Sequence, residues 1–136
     1  VQTGESHFLL DFPEMDEQHR YLYRLFDSLE HTSQVINRAD TKTLLGEIER
    51  YLMFHFSCEE HLMRQYAFDG FAVHQSDHES AETKFVQFLN DFEANRLNPA
   101  ALRAFLIGWL EEHSRMSDTV YVAWIKKKRG ELFRAL

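Results

Sequence analysis

One cysteine, two prolines and five glycines are all that this 136-residue chain holds of the residues that cross-link a chain, break helices or build tight turns. Cys58 alone excludes an intrachain disulfide and a zinc site built on several thiolates, and it fits a reducing, cytoplasmic setting. Its place between Ser57 and Glu59 in a helical stretch reads as a small core or boundary residue rather than a nucleophile. So little proline and glycine argues against disorder and against a turn-rich β-sandwich. The longest purely apolar stretch, Ala104 to Leu110, falls far short of a membrane span. Basic residues number 15 against 22 acids, and the net charge of −7 argues against a nucleic-acid surface; neither nucleic acid nor a membrane is an expected partner of this domain. The one basic run, Lys126 to Arg129, reads as a helix end with a solvated face. Val1 to Glu5 lacks the basic start of a secretory signal. The missing initiator methionine fits a processed protein or a domain of a larger one.

What is present is helical periodicity. The hydrophobic fraction of 44% is enough for one buried core in a single domain spanning residues 1–136. An extended arm over residues 1–15, containing Pro13, precedes a first helix over about residues 16–37, in which Leu22, Phe26 and Leu29 recur at helical spacing. Arg38 to Thr41 reads as a turn, with Asp40 or Thr41 capping a second helix over about 41–66. Asp69-Gly70 ends that pattern, and a third helix is expected over 71–93. Asn98-Pro99 is a cap followed by a proline in the first helical turn, opening a fourth helix over 99–129 with Trp109, His113, Val120 and Trp124 on its inner side. Short links between four helices predict an all-α, up-down-up-down antiparallel four-helix bundle. Glu131 to Leu136 is expected to be frayed or the stub of a linker.

The inner faces are not uniformly apolar. His55 and Glu59 are four residues apart, as are His74 and His78, so each pair shares one helix face. His19 lies one turn before Tyr23 and His113 one turn after Trp109, both on inward stripes. One core histidine is ordinarily a hydrogen-bonded core residue. Five, with a glutamate whose unpaired burial would be costly, point instead to cations bound by imidazole and carboxylate. His7, His31 and His61 fall outside this set: an arm, a polar stretch and the far side of the second helix. So many N/O ligands exceed the needs of one ion and suit two with bridging carboxylates. No Glu-x-x-His occurs in the chain, which disfavours the ferritin-like di-iron class.

The sequence resembles the hemerythrin family, and within it the bacterial branch. The resemblance rests on Asp16-Glu17-Gln18-His19, His55-Phe56-Ser57-Cys58-Glu59-Glu60, His74-Gln75-Ser76-Asp77-His78 and His113-Ser114-Arg115-Met116-Ser117-Asp118, in that order along nearly the whole chain. It implies two oxo- or hydroxo-bridged irons. His74, His78 and His113 would saturate one iron, and His19 and His55 would hold the other, leaving a position open. Glu59 and Asp118 would bridge them. Asp118 is named through the resemblance, because five helical positions after His113 turn a side chain about 140° away from it unless the helix widens locally.

The implied function is dioxygen sensing or carriage through reversible formation of a ferric hydroperoxide. Azide-like anions would be further small ligands, and a covalently linked signalling domain, as in a chemotaxis receptor, a partner. Internal transfer of two electrons and a proton would leave the buried net charge unchanged, which a low-dielectric core tolerates. One departure stands out: a bulky aliphatic residue usually follows the fourth-helix histidine in this family, and here it is Ser114. With Leu110 one turn earlier, Ser114 is expected to line the ligand pocket and admit water. That supports an alternative, oxidase- or peroxidase-like chemistry at a water-accessible site.

Overall fold

The computed structural model describes residues 8–32 and 37–136. Helix α1 spans Pro13–Thr32, α2 Arg38–Gln65, α3 Phe71–Glu93 and α4 Pro99–His113; a single widened, π-type turn, Ser114–Asp118, joins α4 to α5, Thr119–Ala135. His7 and the side chain of His31 lie outside the described residues, as do residues 33–36, the last stretch before the expected end of the first helix at about 37. Among the described residues no helix is long and apolar enough to cross a membrane.

Local chemistry explains where the helices start. Pro13 belongs to α1 rather than to the arm, because a first-turn residue needs no N–H partner. The Asp16 carboxylate accepts the backbone N–H groups of Leu10 at 2.7 Å and Phe12 at 3.0 Å, and so folds the arm back over the helix start. Helix α2 is capped by Asn37, whose side-chain oxygen accepts from Ala39 and Asp40. Asp40 and Thr41, expected as caps, stand inside the first turn, where Asp40 favours the helix dipole. The α2–α3 turn needs Gly70, since a Cβ there would stand 2.6 Å from the Phe68 ring. Asn98 caps α4 through the Ala101 N–H, with Pro99 following as expected.

Two apolar clusters fill the bundle. One joins Leu22, Phe26 and Leu29 of α1 to Leu45, Ile48 and Leu52 of α2, Phe85 and Phe92 of α3, and Leu102 and Leu106 of α4. The other joins Phe12 and Met15 to Met63, Phe68, Tyr121, Val122 and Ile125. With Phe71 of α3 also packed against the second cluster, α1, α2, α3 and the joined α4–α5 arm each run from one cluster to the other in alternating direction, which is the up-down-up-down bundle. Between the two clusters lies a layer of buried histidines and acids.

The fourth arm departs from a regular helix. The widened turn adds one residue, so Tyr121 faces the core and is fully buried, while Val120, expected inward, is 54% exposed. Nor does the helix stop near Gly130; it continues to Ala135, so the basic run lies within it. Within that run Lys126 and Lys127 are exposed, but Arg129 binds the Glu14 carboxylate at 2.7 Å and the Tyr66 hydroxyl at 2.9 Å, tying α5 to the start of α1 and the end of α2.

This register is testable by denaturant unfolding of the metal-loaded protein. Ile48→Ala is expected to cost about 2–5 kcal/mol and Asn98→Ala about 1 kcal/mol. Val120→Ala should stay within about 0.5 kcal/mol. A loss at Val120 matching that at Ile48 would place the wrong face of α5 inward.

Candidate metal centre

Each arm of the bundle delivers its part of the layer by helical spacing. His19 comes from α1, His55 and Glu59 from successive turns of α2, His74 and His78 from successive turns of α3, and His113 from the last residue of α4. Asp118 arrives through the widened turn. The added residue makes a five-residue step behave nearly as a four-residue one, so Asp118 and His113 share a face. All seven side chains are buried.

Their donor atoms form two groups, each within 4.8 Å: Glu59, His74, His78 and His113; and His19, His55, Glu59 and Asp118. Glu59 belongs to both. Its Oε1 lies 3.0 Å from His78 Nε2, 3.5 Å from His55 Nε2 and 3.6 Å from His74 Nε2. Asp118 also faces both sides, with Oδ2 3.3 Å from His19 Nε2 and Oδ1 3.1 and 3.2 Å from the Nε2 atoms of His74 and His113. Donors at right angles around an ion with bonds of about 2.1 Å stand about 3 Å apart. These separations have that scale, and the two groups fit a di-iron centre.

Hydrogen bonding points the same way. His19 Nε2 and both Asp118 oxygens are buried without a hydrogen-bond partner, a costly arrangement unless a cation supplies the missing interaction. The His74 and His113 Nε2 atoms approach to 3.0 Å, where two lone pairs would repel without a proton or metal between them. Second nitrogens are held from behind. The Nδ1–H of His19 donates to the Phe8 carbonyl at 2.9 Å, that of His55 to Gln18 Oε1 at 2.7 Å and that of His78 to Glu60 Oε2 at 2.8 Å. This fixes the tautomer that aims Nε2 inward. Phe56 stacks on His78 at 4.0 Å and Trp109 on His113 at 4.4 Å, which limits ring rotation.

Several of these groups escaped the sequence reading. Tyr121 donates its hydroxyl to Glu59 Oε2 at 2.7 Å, leaving Oε1 as the oxygen that faces both donor groups. Its inward direction depends on the widened turn, which periodicity does not reveal. Glu60 and Gln18 stand next to histidine or glutamate donors in sequence, and that adjacency was the available signal. Ser114, expected at an open pocket edge, is 1% exposed with Oγ 3.4 Å from His19 Nδ1. Leu110 packs in the first apolar cluster. His61 is exposed, as expected, and Cys58 is half-buried.

Charge in the layer is strongly coupled. Burial and Asp118 push the Glu59 carboxyl up, but His55, His74 and His78 more than reverse this and hold it below the usual carboxylate range. Burial likewise opposes ionisation of Asp118, yet His113, His19 and His74 hold it well below that range. Burial disfavours the charged form of His19 and His74, but the Asp118 and Glu59 carboxylates beside them raise both to about 9. His55, for which burial dominates, is lowered to about 4.

Comparison with known proteins follows the same lines. The family profile described as the hemerythrin HHE cation-binding domain matches residues 11–125. The bacteriohemerythrin of Stenotrophomonas maltophilia is 28% identical over 120 residues, covering 88% of this chain and 78% of that protein. That of Pseudomonas aeruginosa is 25% identical with the same coverage. A crystal structure of wild-type hemerythrin superposes with a TM-score of 0.81 at 23% identity, covering 92% of this chain and 96% of that one.

Metal-free protein should carry protons on His19 and His74 at neutral pH, so loading with a divalent ion at pH 7 should release about two protons per chain, and affinity should rise towards pH 9. The stability from those two raised histidines is fully present below their unfolded value near 6.5 and is lost as pH rises through about 9. His55 acts oppositely, costing stability as pH falls from 6.5 towards 4, because the unfolded chain protonates first. Metal-free melting temperature should therefore peak near pH 6.5; a melt still rising at pH 8.5, or loading without proton release, would contradict this charge arrangement.

Proposed function

The chain belongs to the hemerythrin family of cation-binding domains, and from that premise we propose that its buried layer holds two irons and binds dioxygen for sensing or carriage. The observation carrying this reading is the pair of buried donor groups that share Glu59 while differing by one imidazole. His74, His78 and His113 would complete one coordination sphere. His19 and His55 would leave one position of the other for a small ligand, with Glu59 and Asp118 spanning both. The two irons, when bound, supply the electrons for reversible dioxygen reduction.

The rest is the work of this chain's own residues. Gln18, Glu60 and the Phe8 carbonyl orient imidazoles, and Tyr121 engages the outer oxygen of Glu59. The two apolar clusters exclude bulk water above and below the layer. Azide-like anions would compete for the open position. The half-buried lone cysteine supports a reducing, cytoplasmic location, and a covalently linked signalling domain is the form in which a sensor of this size would report. Ser114 and Leu110 belong to the proposed surroundings of the ligand. Ser114 is buried with its hydroxyl beside His19, so in this reading its effect on bound dioxygen would act through that hydroxyl rather than through an opening to solvent.

Anaerobically reduced protein with two irons per chain should bind dioxygen reversibly, gain a charge-transfer band and release the ligand under vacuum. His55→Ala should lose the two-iron centre. A full centre without His55, or oxygen exposure that only oxidises the metal irreversibly, would defeat the reading.

Ser114→Ala removes the hydroxyl without the overpacking, about 1–3 kcal/mol, that a larger residue would bring to so enclosed a place. The oxygenated form of this variant should decay several-fold more slowly in stopped-flow traces, with the iron count unchanged. Equal decay would remove Ser114 from the ligand's surroundings.

A further inference from the structure

The three described Nδ1 partners are not equivalent. Behind His78 stands a carboxylate, Glu60, whose Oε2 accepts from Nδ1–H at 2.8 Å while its Oε1 accepts from Gln75 Nε2 at 3.1 Å. Behind His55 stands a neutral amide, Gln18, and behind His19 a neutral backbone carbonyl. A second carboxylate, Asp77, lies 3.9 Å from His113 Nδ1, on the same side as Glu60. A carboxylate behind an imidazole draws its proton outward, raises electron density at the opposite nitrogen and adds a negative charge close to any ion bound there. An amide or carbonyl fixes the same tautomer but contributes only a dipole.

We propose that Glu60 is a positioning residue that makes the His74–His78–His113 side the first and tighter site for a divalent ion, leaving the His19–His55 side second and weaker. This rests on the two-ion reading of the centre. The filling order has a functional consequence. A chain short of metal keeps its three-imidazole ion and lacks the one with the open position, so small-ligand binding is silenced by metal scarcity before the fold loses its first ion. The centre then reports oxygen only when the second site is supplied.

The test is anaerobic titration of the metal-free full chain with cobalt(II), followed by its visible bands and by equilibrium dialysis. Wild-type protein should fill in two resolved steps, and His19→Ala should keep the tight step and lose the weak one. Glu60→Gln preserves a hydrogen-bond acceptor but removes the charge; it should weaken the first step by about 10–100-fold and leave the second unchanged. Gln18→Glu supplies the missing charge behind His55 and should strengthen the second step, a gain that a damaged fold cannot mimic. The double exchange should bring the two steps together or reverse them. If Glu60→Gln weakens both steps equally or spares the first, or if Gln18→Glu strengthens neither, the inference is overturned while the two-ion centre stands. Saturation of wild-type protein at one equivalent would overturn both.

Discussion

Two carboxylates, Glu59 and Asp118, sit fully buried in the middle of this bundle, and the rest of the structure is arranged around compensating their charge. Burying an unpaired carboxylate costs several kcal/mol, comparable to the net stability of a domain this size. Protons on His19 and His74 offset part of that cost, and cations held by five imidazoles offset it more completely. The bundle is accordingly built as two apolar plugs around a polar layer. Each arm of the bundle, α4 and α5 counted as one, contributes hydrophobic residues above and below its ligating turn, so folding of the apolar ends and assembly of the donor set are one process.

The widened turn between α4 and α5 meets this constraint in the backbone. A regular helix would point His113 and the residue five positions later in different directions. One added residue aligns them and rotates everything that follows by about 100° relative to a regular helix. The same shift that brings Asp118 into the layer also puts Tyr121 beneath Glu59 and turns Val120 to solvent. Ligand geometry and the packing of α5 are thus set by one local irregularity.

That irregularity marks the boundary of what was legible in the sequence. Four helices and the inward histidines followed from spacings of three and four residues, because those spacings are the geometry of a regular helix, and the alternating direction followed from the short links between them. Asp118 required a resemblance, since its own spacing argued against it. Tyr121 was missed and Val120 misplaced for the same reason: periodicity extrapolated past Ser114 assumes the turn that the structure changes. Asn37 was overlooked as a cap because Asp40 and Thr41 are equally capable residues, and which one caps depends on where the chain leaves α1. Glu60 and Gln18 were legible only as neighbours. Hydrogen bonds between helices depend on register across the bundle, which no single helix's periodicity contains.

Ser114 shows how sequence and structure divide one question. As a residue type it differs from the aliphatic residue expected there, and a small hydroxyl in place of bulk reads as a gap admitting water. In the folded chain that position is enclosed, with Ser114 1% exposed. Asp16 draws Leu10 and Phe12 onto the start of α1, and this brings the Phe8 carbonyl to His19 and its ring fully into the core. Ser114 Oγ is enclosed beside the same imidazole. Water access and a buried hydroxyl are different perturbations. The first would expose a bound ligand to bulk proton donors, whereas the second offers one fixed dipole whose effect depends on its direction. With Ser114 buried beside His19, the second is the perturbation that this position carries.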